Sequence, residues 1–301
     1  MAKPLLNVAI AILSHKNQIL VGWRNAEQHQ GNKAEFPGGK VEEGEMPQQA
    51  CRREILEEVG IDVEQWFSFD VIHHEYDDLI VKLHVFHAHI GLEQANAIQA
   101  PWKWVQRQDL ATYPFPKANK VLVQRLALPK LIKISTELSA LNQLDEQSYL
   151  YWRTEPSLDA IKLINDYSVE QLTRLIVNLD VWQQLNSIQQ QAIAMVHLKH
   201  QQLLQMSSQQ LISGQSYLAA CHDQASLLHA AQLGVDAMLL SPVNHTLSHE
   251  RQEPLGWEGF KALAAQVQIP VYALGGIALE DLEKAQVHAA YGIAGIRTFQ
   301  G

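Results

Sequence analysis

Apolar residues fall in short blocks separated by polar turns, and the spacing inside the blocks predicts their form. Asn7 to Leu13 is nearly continuous apolar chain, Ser14-His15-Lys16-Asn17 is a polar turn, and Gln18 to Trp23 is apolar again. The pattern predicts a β-hairpin over residues 7–24. After a polar loop, Pro47 to Val59 predicts a helix: Pro47 suits the first helical position, where a missing N–H costs nothing, and Gly60 suits the left-handed stop. Phe67–His74, Leu79–Ile90 and Trp102–Gln106 read as strands, and residues 117–127 as a closing helix. These elements make a mixed α+β unit.

The pattern changes at Pro129. Beyond it short apolar strands alternate with helical stretches: Leu131–Ile134, Tyr149–Trp152, Leu175–Asn178, Ala192–His197, Tyr217–Ala220, Ala237–Leu240, Val271–Leu274 and Gly292–Ile296. Strand alternating with helix implies parallel pairing and right-handed crossovers, and eight such strands make a small (β/α)8 barrel. The glutamine clusters within 183–210 are interleaved with apolar residues, so they read as solvated helix faces. The expected division is therefore residues 1–128 and 129–301 of a 301-residue chain.

Charge narrows the partners. Lys and Arg total 23 against 32 Asp and Glu, a formal net charge of -9. A polymeric nucleic acid or an anionic membrane surface calls for a positive field, so neither is expected. A phosphorylated small molecule stays open, because a bound metal inverts the local field. The cysteines, Cys51 and Cys221, lie far apart and make no CxxC pattern. With no membrane-length apolar run and no signal-peptide core, they point to a reduced, cytoplasmic protein.

The densest chemistry lies between Gly39 and Ile61. On a helix Glu54 stands three residues before Glu57 and four before Glu58, so the three carboxylates project from nearly one face. By themselves they read as a solvated acidic face. Together with Gly39, Glu45, Arg53, Ile55, Gly60 and Ile61 they fill every specified position of G-x5-E-x7-R-E-U-x-E-E-x-G-U, where U is a bulky aliphatic residue. Over roughly residues 5–128 the chain thus resembles the Nudix hydrolases, which cleave nucleoside diphosphates linked to another group. The resemblance implies an α/β/α sandwich, Mg2+ (or Mn2+ in its place) held by Glu54, Glu57, Glu58 and Gly38, and Arg53 orienting a glutamate through a charge-assisted hydrogen bond. Glu54, Glu57 and Arg53 would be the catalytic set. Gly38 and Gly39 would let backbone approach the phosphates. The implied reaction is attack by metal-activated water on a phosphorus of the pyrophosphate link.

The surroundings narrow the substrate. Val8 to Leu13 with Trp23-Arg24, the run Asn32-Lys33-Ala34-Glu35-Phe36-Pro37-Gly38-Gly39-Lys40, and Phe115-Pro116-Lys117-Ala118-Asn119 are similar to the MutT-type subfamily acting on 8-oxo-dGTP. That resemblance implies a free nucleotide substrate bound by Arg24, Glu35, Phe36, Gly39, Lys40 and Asn119. An amide offers both donor and acceptor, so Asn119 can read an oxidised purine edge; from the residue alone it also fits a helix N-cap. The loop glutamate that close relatives carry falls at Ile98 here, and Glu93 is not assigned its role. His84, His87 and His89 read as pairing or solvent-facing strand residues, since no zinc-site spacing is present.

The second half resembles thiamine-phosphate synthase and its thiazole-tautomerase relatives through Ser241-Pro242-Val243, Pro254 to Phe260, Ile269 to Ile277 and Val196-His197-Leu198. The resemblance implies a TIM-like barrel, with Arg153, Gly275 and Gly276 as phosphate-site candidates. The departures are specific. Tyr151-Trp152-Arg153-Thr154-Glu155 keeps only the arginine of the synthase's Gln-x-Arg-x-Lys array, and Thr246-Leu247-Ser248-His249 lacks its lysine. The synthase's metal-binding aspartate directly follows an asparagine; here Asn178 is followed by Leu179, and Asp180 comes one place late, a slip that on a strand would reverse its facing. His197, His200, His222 and His249 are further candidates. The leading expectation is 8-oxo-dGTP hydrolysis. The alternatives are a Nudix hydrolase of thiamine diphosphate or its analogues, and a barrel acting as a non-catalytic thiamine-precursor-binding module.

Overall fold

The computed structural model describes residues 3–15, 18–27, 31–145, 148–246 and 253–296. The chain forms two compact units, Met1–Leu128 and Pro129–Gly301.

The first unit is built on β1 (Leu5–His15), whose residues 9–14 are buried without interruption. A strand buried on both faces belongs in the middle of a sheet. The turn expected at Lys16-Asn17 lies outside the described residues; among these, the hairpin expected over 7–24 is limited to Ser14 paired with Ile19 and His15 with Gln18 of β2 (Gln18–Trp23). The strands then part. β1 runs parallel to β6 (Ile80–His89) from Leu5↔Ile80 to Ser14↔His89, and takes β4 (Gly38–Lys40) as an antiparallel partner at Val8, Ala9 and Ile10. β2 pairs with β3 (Ala34–Glu35) and β7 (Lys103–Gln106), and β5 (Phe67–Glu75) pairs with β6.

Helix α1 (Pro47–Glu58) buries Ala50, Cys51 and Ile55 in one core with Ala9, Ala11 and Leu13 of β1. The alternate residues Ile10 and Ile12 are buried as well. Pro47 opens α1, the Gln49 side chain accepts from the Met46 N–H at 3.0 Å, and Gly60 adopts φ +79° just beyond its end. A short helix, α2, spans Leu92–Ala97. The expected closing helix is two elements: a 3-10 turn over Lys117–Asn119 and α3 over Lys120–Leu126. Arg125 on α3 forms a tight ion pair with the buried Asp70 of β5.

The second unit is a closed barrel of eight parallel strands: β8 (Leu131–Ser135), β9 (Ser148–Trp152), β10 (Leu175–Asn178), β11 (Met195–Leu198), β12 (Tyr217–Cys221), β13 (Ala237–Leu240), β14 (Val271–Leu274) and β15 (Gly292–Gly295), with β15 pairing back onto β8. The barrel and its strand placements agree with the apolar spacing, although β11 begins at Met195 rather than Ala192. Alternation sets the facing. Trp152, Val177, Val196, Leu198, Ala219, Met238 and Ala273 join helix residues Ile164, Leu203, Leu227 and Phe260 in the outer core. The intervening Ile176, Met195, Leu218, Leu239, Tyr272 and Ala294 are buried and fill the barrel.

Tyr272 is fully buried, and its hydroxyl donates to the Pro129 carbonyl at 2.6 Å, tying β14 to the start of the unit. Tyr272→Phe leaves that carbonyl unpaired and is expected to destabilise the unit by about 1–2 kcal/mol, read by denaturant unfolding of the intact chain. Among the described residues, no helix is long and apolar enough to cross a membrane.

Candidate active site

Two elements set the geometry of the first unit's site. β4 lies against β1, and α1 lies across β4. Gly38 has φ +142°, and a Cβ there would stand 2.1 Å from the Ala9 carbonyl oxygen. A Cβ on Gly39 would stand 2.2 Å from the Glu54 carboxylate. Both glycines therefore remove side chains so that strand backbone and helix carboxylates can meet.

Arg53 organises the carboxylates. Its Nε and Nη2 donate to the two oxygens of Glu45, each at 3.1 Å, its Nη1 donates to Glu54 Oε1 at 2.8 Å, and its Nη2 also donates to the Lys40 carbonyl at 3.1 Å. Glu57 Oε2 lies at 3.4 Å from Nη1. These hydrogen bonds, to Glu45 first and Glu54 next, hold the guanidinium's pKa above its ordinary value, and the bond from Arg53 lowers that of Glu45. Only a planar fork of five donors makes this set of contacts. Arg53→Lys is expected to lower kcat about tenfold with a smaller change in KM, because it loosens Glu54 without removing it; steady-state kinetics reads the split.

Glu58 stands apart from that hub. Its Oε2 accepts from the Gly38 N–H at 3.1 Å. Burial pushes its pKa up and the Glu54 and Glu35 charges add to this, against the lowering by the Gly38 amide and Arg24. Glu54 is largely covered at 15% side-chain exposure, whereas Glu57 is 59% exposed. Among the described residues, no three His, Cys, Asp or Glu side chains converge into a ready-made metal cage. Glu54 and Glu57 turn toward Arg53, and Glu58 toward the strand.

The other predicted residues line up beside this cluster. Arg24 Nη1 donates to Glu35 Oε2 at 3.1 Å, and burial raises the Glu35 pKa against the pull of Arg24. Phe36 is buried and stacks on Phe115 with centroids 4.6 Å apart, while the Ala34 N–H donates to the Pro114 carbonyl at 3.1 Å, so the 114–119 segment is pinned to the lead-in to β4. Asn119 is buried at the start of α3, where it makes no side-chain capping bond. Lys40 is exposed.

Residues with no assigned role also contribute. Tyr76 accepts from the Ala118 N–H at 3.4 Å, beside Asn119, and nothing in the sequence pattern marks it. The Trp102 Nε1–H donates to the Glu58 carbonyl at 2.9 Å. Glu45 is a motif position, so its spacing did carry the signal. Ile98 ends α2 packed against the core and Glu93 is exposed. His84 bonds Asn7 Oδ1 at 3.0 Å, His87 lies against Phe67 and Phe69, and His89 stacks on His15.

In the barrel, a cavity of about 460 Å³ opens at the carboxyl ends of the strands, lined among others by Arg153, Tyr151, His197, His222, Gly275 and Gly276. His197 packs over Tyr151 with centroids 4.4 Å apart, and burial keeps it neutral, with its pKa lowered to about 3. His200 lies 4.9 Å from His222, which bonds the Ser241 carbonyl at 2.9 Å. His249 lies outside the described residues. Gly275 and Gly276 have φ +102° and +64°, and a Cβ on either would collide with the 242–245 loop. Their carbonyls accept from Asn244, through its N–H at 2.9 Å and its side-chain amide at 2.8 Å. Loop packing alone therefore accounts for both being glycine. The facing argument for Asp180 does not apply, because β10 ends at Asn178 and Asp180 sits in the following helical turn, Leu179–Trp182.

The family model described as NUDIX domain matches residues 8–125, and that described as Thiamine monophosphate synthase matches residues 153–299. The 8-oxo-dGTP diphosphatase of Escherichia coli (strain K12) is 33% identical over 123 residues, covering 40% of this chain and 95% of that protein. The CTP pyrophosphohydrolase of the same organism is 32% identical over 122 residues, covering 40% of this chain and 90% of that protein. The putative thiamine-phosphate synthase 2 of Aquifex aeolicus (strain VF5) is 41% identical over 80 residues, covering 27% of this chain and 43% of that protein.

Proposed function

The chain belongs to the Nudix family of hydrolases, and from that premise we propose that it acts on 8-oxo-dGTP with Mg2+, releasing 8-oxo-dGMP and diphosphate and so clearing an oxidised nucleotide from the precursor pool. The hydrolase chemistry is assigned to residues 1–128. The observation that carries the substrate is Asn119: a buried amide, not used as a helix cap, on a segment pinned by the Phe36–Phe115 stack. A buried amide that makes no capping bond is suited to reading a base edge.

The donor set fits a hard divalent cation. It is all oxygen, from Glu54, Glu57, Glu58 and the Gly38 carbonyl, and the repulsion that Glu54 and Glu35 exert on Glu58 is relieved by positive charge. Mg2+, when bound, neutralises phosphate charge and lowers the pKa of water. The chain's own residues do the positioning. Arg53 holds Glu54 and, more weakly, Glu57. Gly38 and Gly39 keep the strand backbone open to phosphate. Arg24, paired with Glu35, places a cation beside the carboxylates. Water adds to one phosphorus of the α–β link and gives up a proton to solvent, the P–O–P bridge breaks, and the phosphate on its other side leaves with the bridging electrons. The test is hydrolysis of a panel of 8-oxo-dGTP, dGTP, CTP and thiamine diphosphate with Mg2+. Equal kcat/KM for the oxidised and normal purine would remove the substrate assignment.

A second reading concerns residues 129–301. The cavity floored by Tyr151 and His197 supports a binding module for a thiamine precursor. Calorimetry with a thiazole phosphate tests it, and absence of heat removes it.

A further inference from the structure

The loops after β9, β10 and β11 meet through one ammonium group. Lys199 Nζ donates to Glu155 Oε2 at 3.1 Å and to Asp180 Oδ2 at 3.1 Å. The other Asp180 oxygen accepts from Gln202 Nε2 at 2.8 Å. Gln202 is itself held in place, because its Oε1 accepts from the Lys199 N–H at 3.0 Å. Asn178, which ends β10, has a structural role: its Oδ1 accepts from the Val181 N–H at 3.0 Å and its Nδ2 donates to the Thr154 carbonyl at 2.6 Å.

In proteins of the synthase type, the aspartate that binds metal follows this asparagine. The residues present here do not fit that metal. The carboxylate nearest the place, Asp180, has one oxygen on an ammonium and the other on an amide donor, and the second carboxylate, Glu155, is on the same ammonium. A divalent cation would have to enter within a few ångströms of Nζ, where like charges repel.

We propose that Lys199 is a built-in cation standing where the barrel family uses a divalent metal, so that this barrel takes its ligand without metal. The group serves the two carboxylates as an ion would, but it is tethered and brings one positive charge where a divalent metal brings two. The charge available to a ligand falls accordingly. Arg153 is the only Lys or Arg among the described residues lining the cavity. The matching ligand class carries at most one phosphate monoester or carboxylate rather than a diphosphate. This inference is independent of the hydrolase substrate and of whether the ligand is a thiamine precursor.

The test uses the full chain carrying Glu54→Gln, Glu57→Gln and Glu58→Gln, which removes the three carboxylates assigned to metal in the first unit, and counts bound Mn2+ by the EPR signal of the free ion. With Lys199 intact, no Mn2+ binding that depends on Asp180 is expected. Lys199→Ala in the same background is expected to gain one Mn2+ per chain, with affinity at least about tenfold higher. Adding Asp180→Asn abolishes the gain, and Lys199→Arg, which keeps the charge, gains nothing. The proposal is overturned if the Lys199 protein binds Mn2+ and loses it on Asp180→Asn. It is equally overturned if Lys199→Ala gains no ion while its near-ultraviolet circular dichroism stays native, or if Lys199→Arg gains one. Nucleotide hydrolysis by Lys199→Ala with Glu54, Glu57 and Glu58 intact is expected to match the parent, which keeps this result separate from the hydrolase assignment.

Discussion

Glu54→Gln is expected to lower kcat by roughly 10³-fold or more while leaving the fold intact. The substitution keeps the shape of the side chain and changes only its charge. Glu54 is largely covered, lies where a Gly39 Cβ would be, and accepts at 2.8 Å from the Arg53 donor that also reaches Glu57. It is therefore the least adjustable of the three glutamates assigned to metal. A neutral amide in its place weakens cation binding and presents an NH2 group either to the cation or to Arg53. The stability cost stays small, because the ion pair it breaks is partly solvated and Arg53 retains Glu45; such pairs contribute about 0–1 kcal/mol. A melting temperature within about 2 °C of the parent, beside the collapsed turnover, is the expected pair of results. Turnover within about threefold of the parent would remove Glu54 from the catalytic set.

Asn119→Ala is expected to cut the kcat/KM preference for 8-oxo-dGTP over dGTP by about 10²-fold, mainly through loss on the oxidised substrate. A site built around hydrogen bonds to a base edge discriminates because the wrong partner leaves buried groups unpaired. The same residue as an N-cap would show another signature: about 1 kcal/mol lost from stability and an unchanged substrate ratio. Asn119 makes no capping bond, so the stability change should be slight and the ratio should move. Competition between the two nucleotides in one reaction measures that ratio directly. An unchanged ratio with a lowered melting temperature would return Asn119 to a structural role.

Much of the fold was legible because its signals are local. The apolar run Val8 to Leu13 announces a strand, Pro47 and Gly60 bracket α1, and the barrel strands stand out as short apolar blocks between helices. The 3-residue and 4-residue intervals among Glu54, Glu57 and Glu58 are enough to place them on one side of a helix. What escaped involves pairing between distant segments. β3 and β4 are two and three residues long, too short for any periodicity, and they exist because β1 and β2 part after two pairs and leave edges to be filled. The break at Asn119 between a 3-10 turn and α3 was invisible because both conformations accept the same residues.

The sequence by itself determined which residue types are available, and at what helical or strand phase: the acidic face of α1, the two glycines before it, the amide at 119 and the eight barrel strands. Each depends only on the covalent spacing of neighbours and the fixed repeat of its element. The tertiary structure alone decided how those charges are used. It set Arg53 across Glu45, Glu54 and Glu57 while leaving Glu58 to the Gly38 amide, packed Gly275 and Gly276 against the 242–245 loop, and laid Lys199 between Glu155 and Asp180. The physical reason is range: periodicity is set within a few residues, whereas a charge is neutralised by whatever the fold brings within about 3–4 Å, from any distance along the chain.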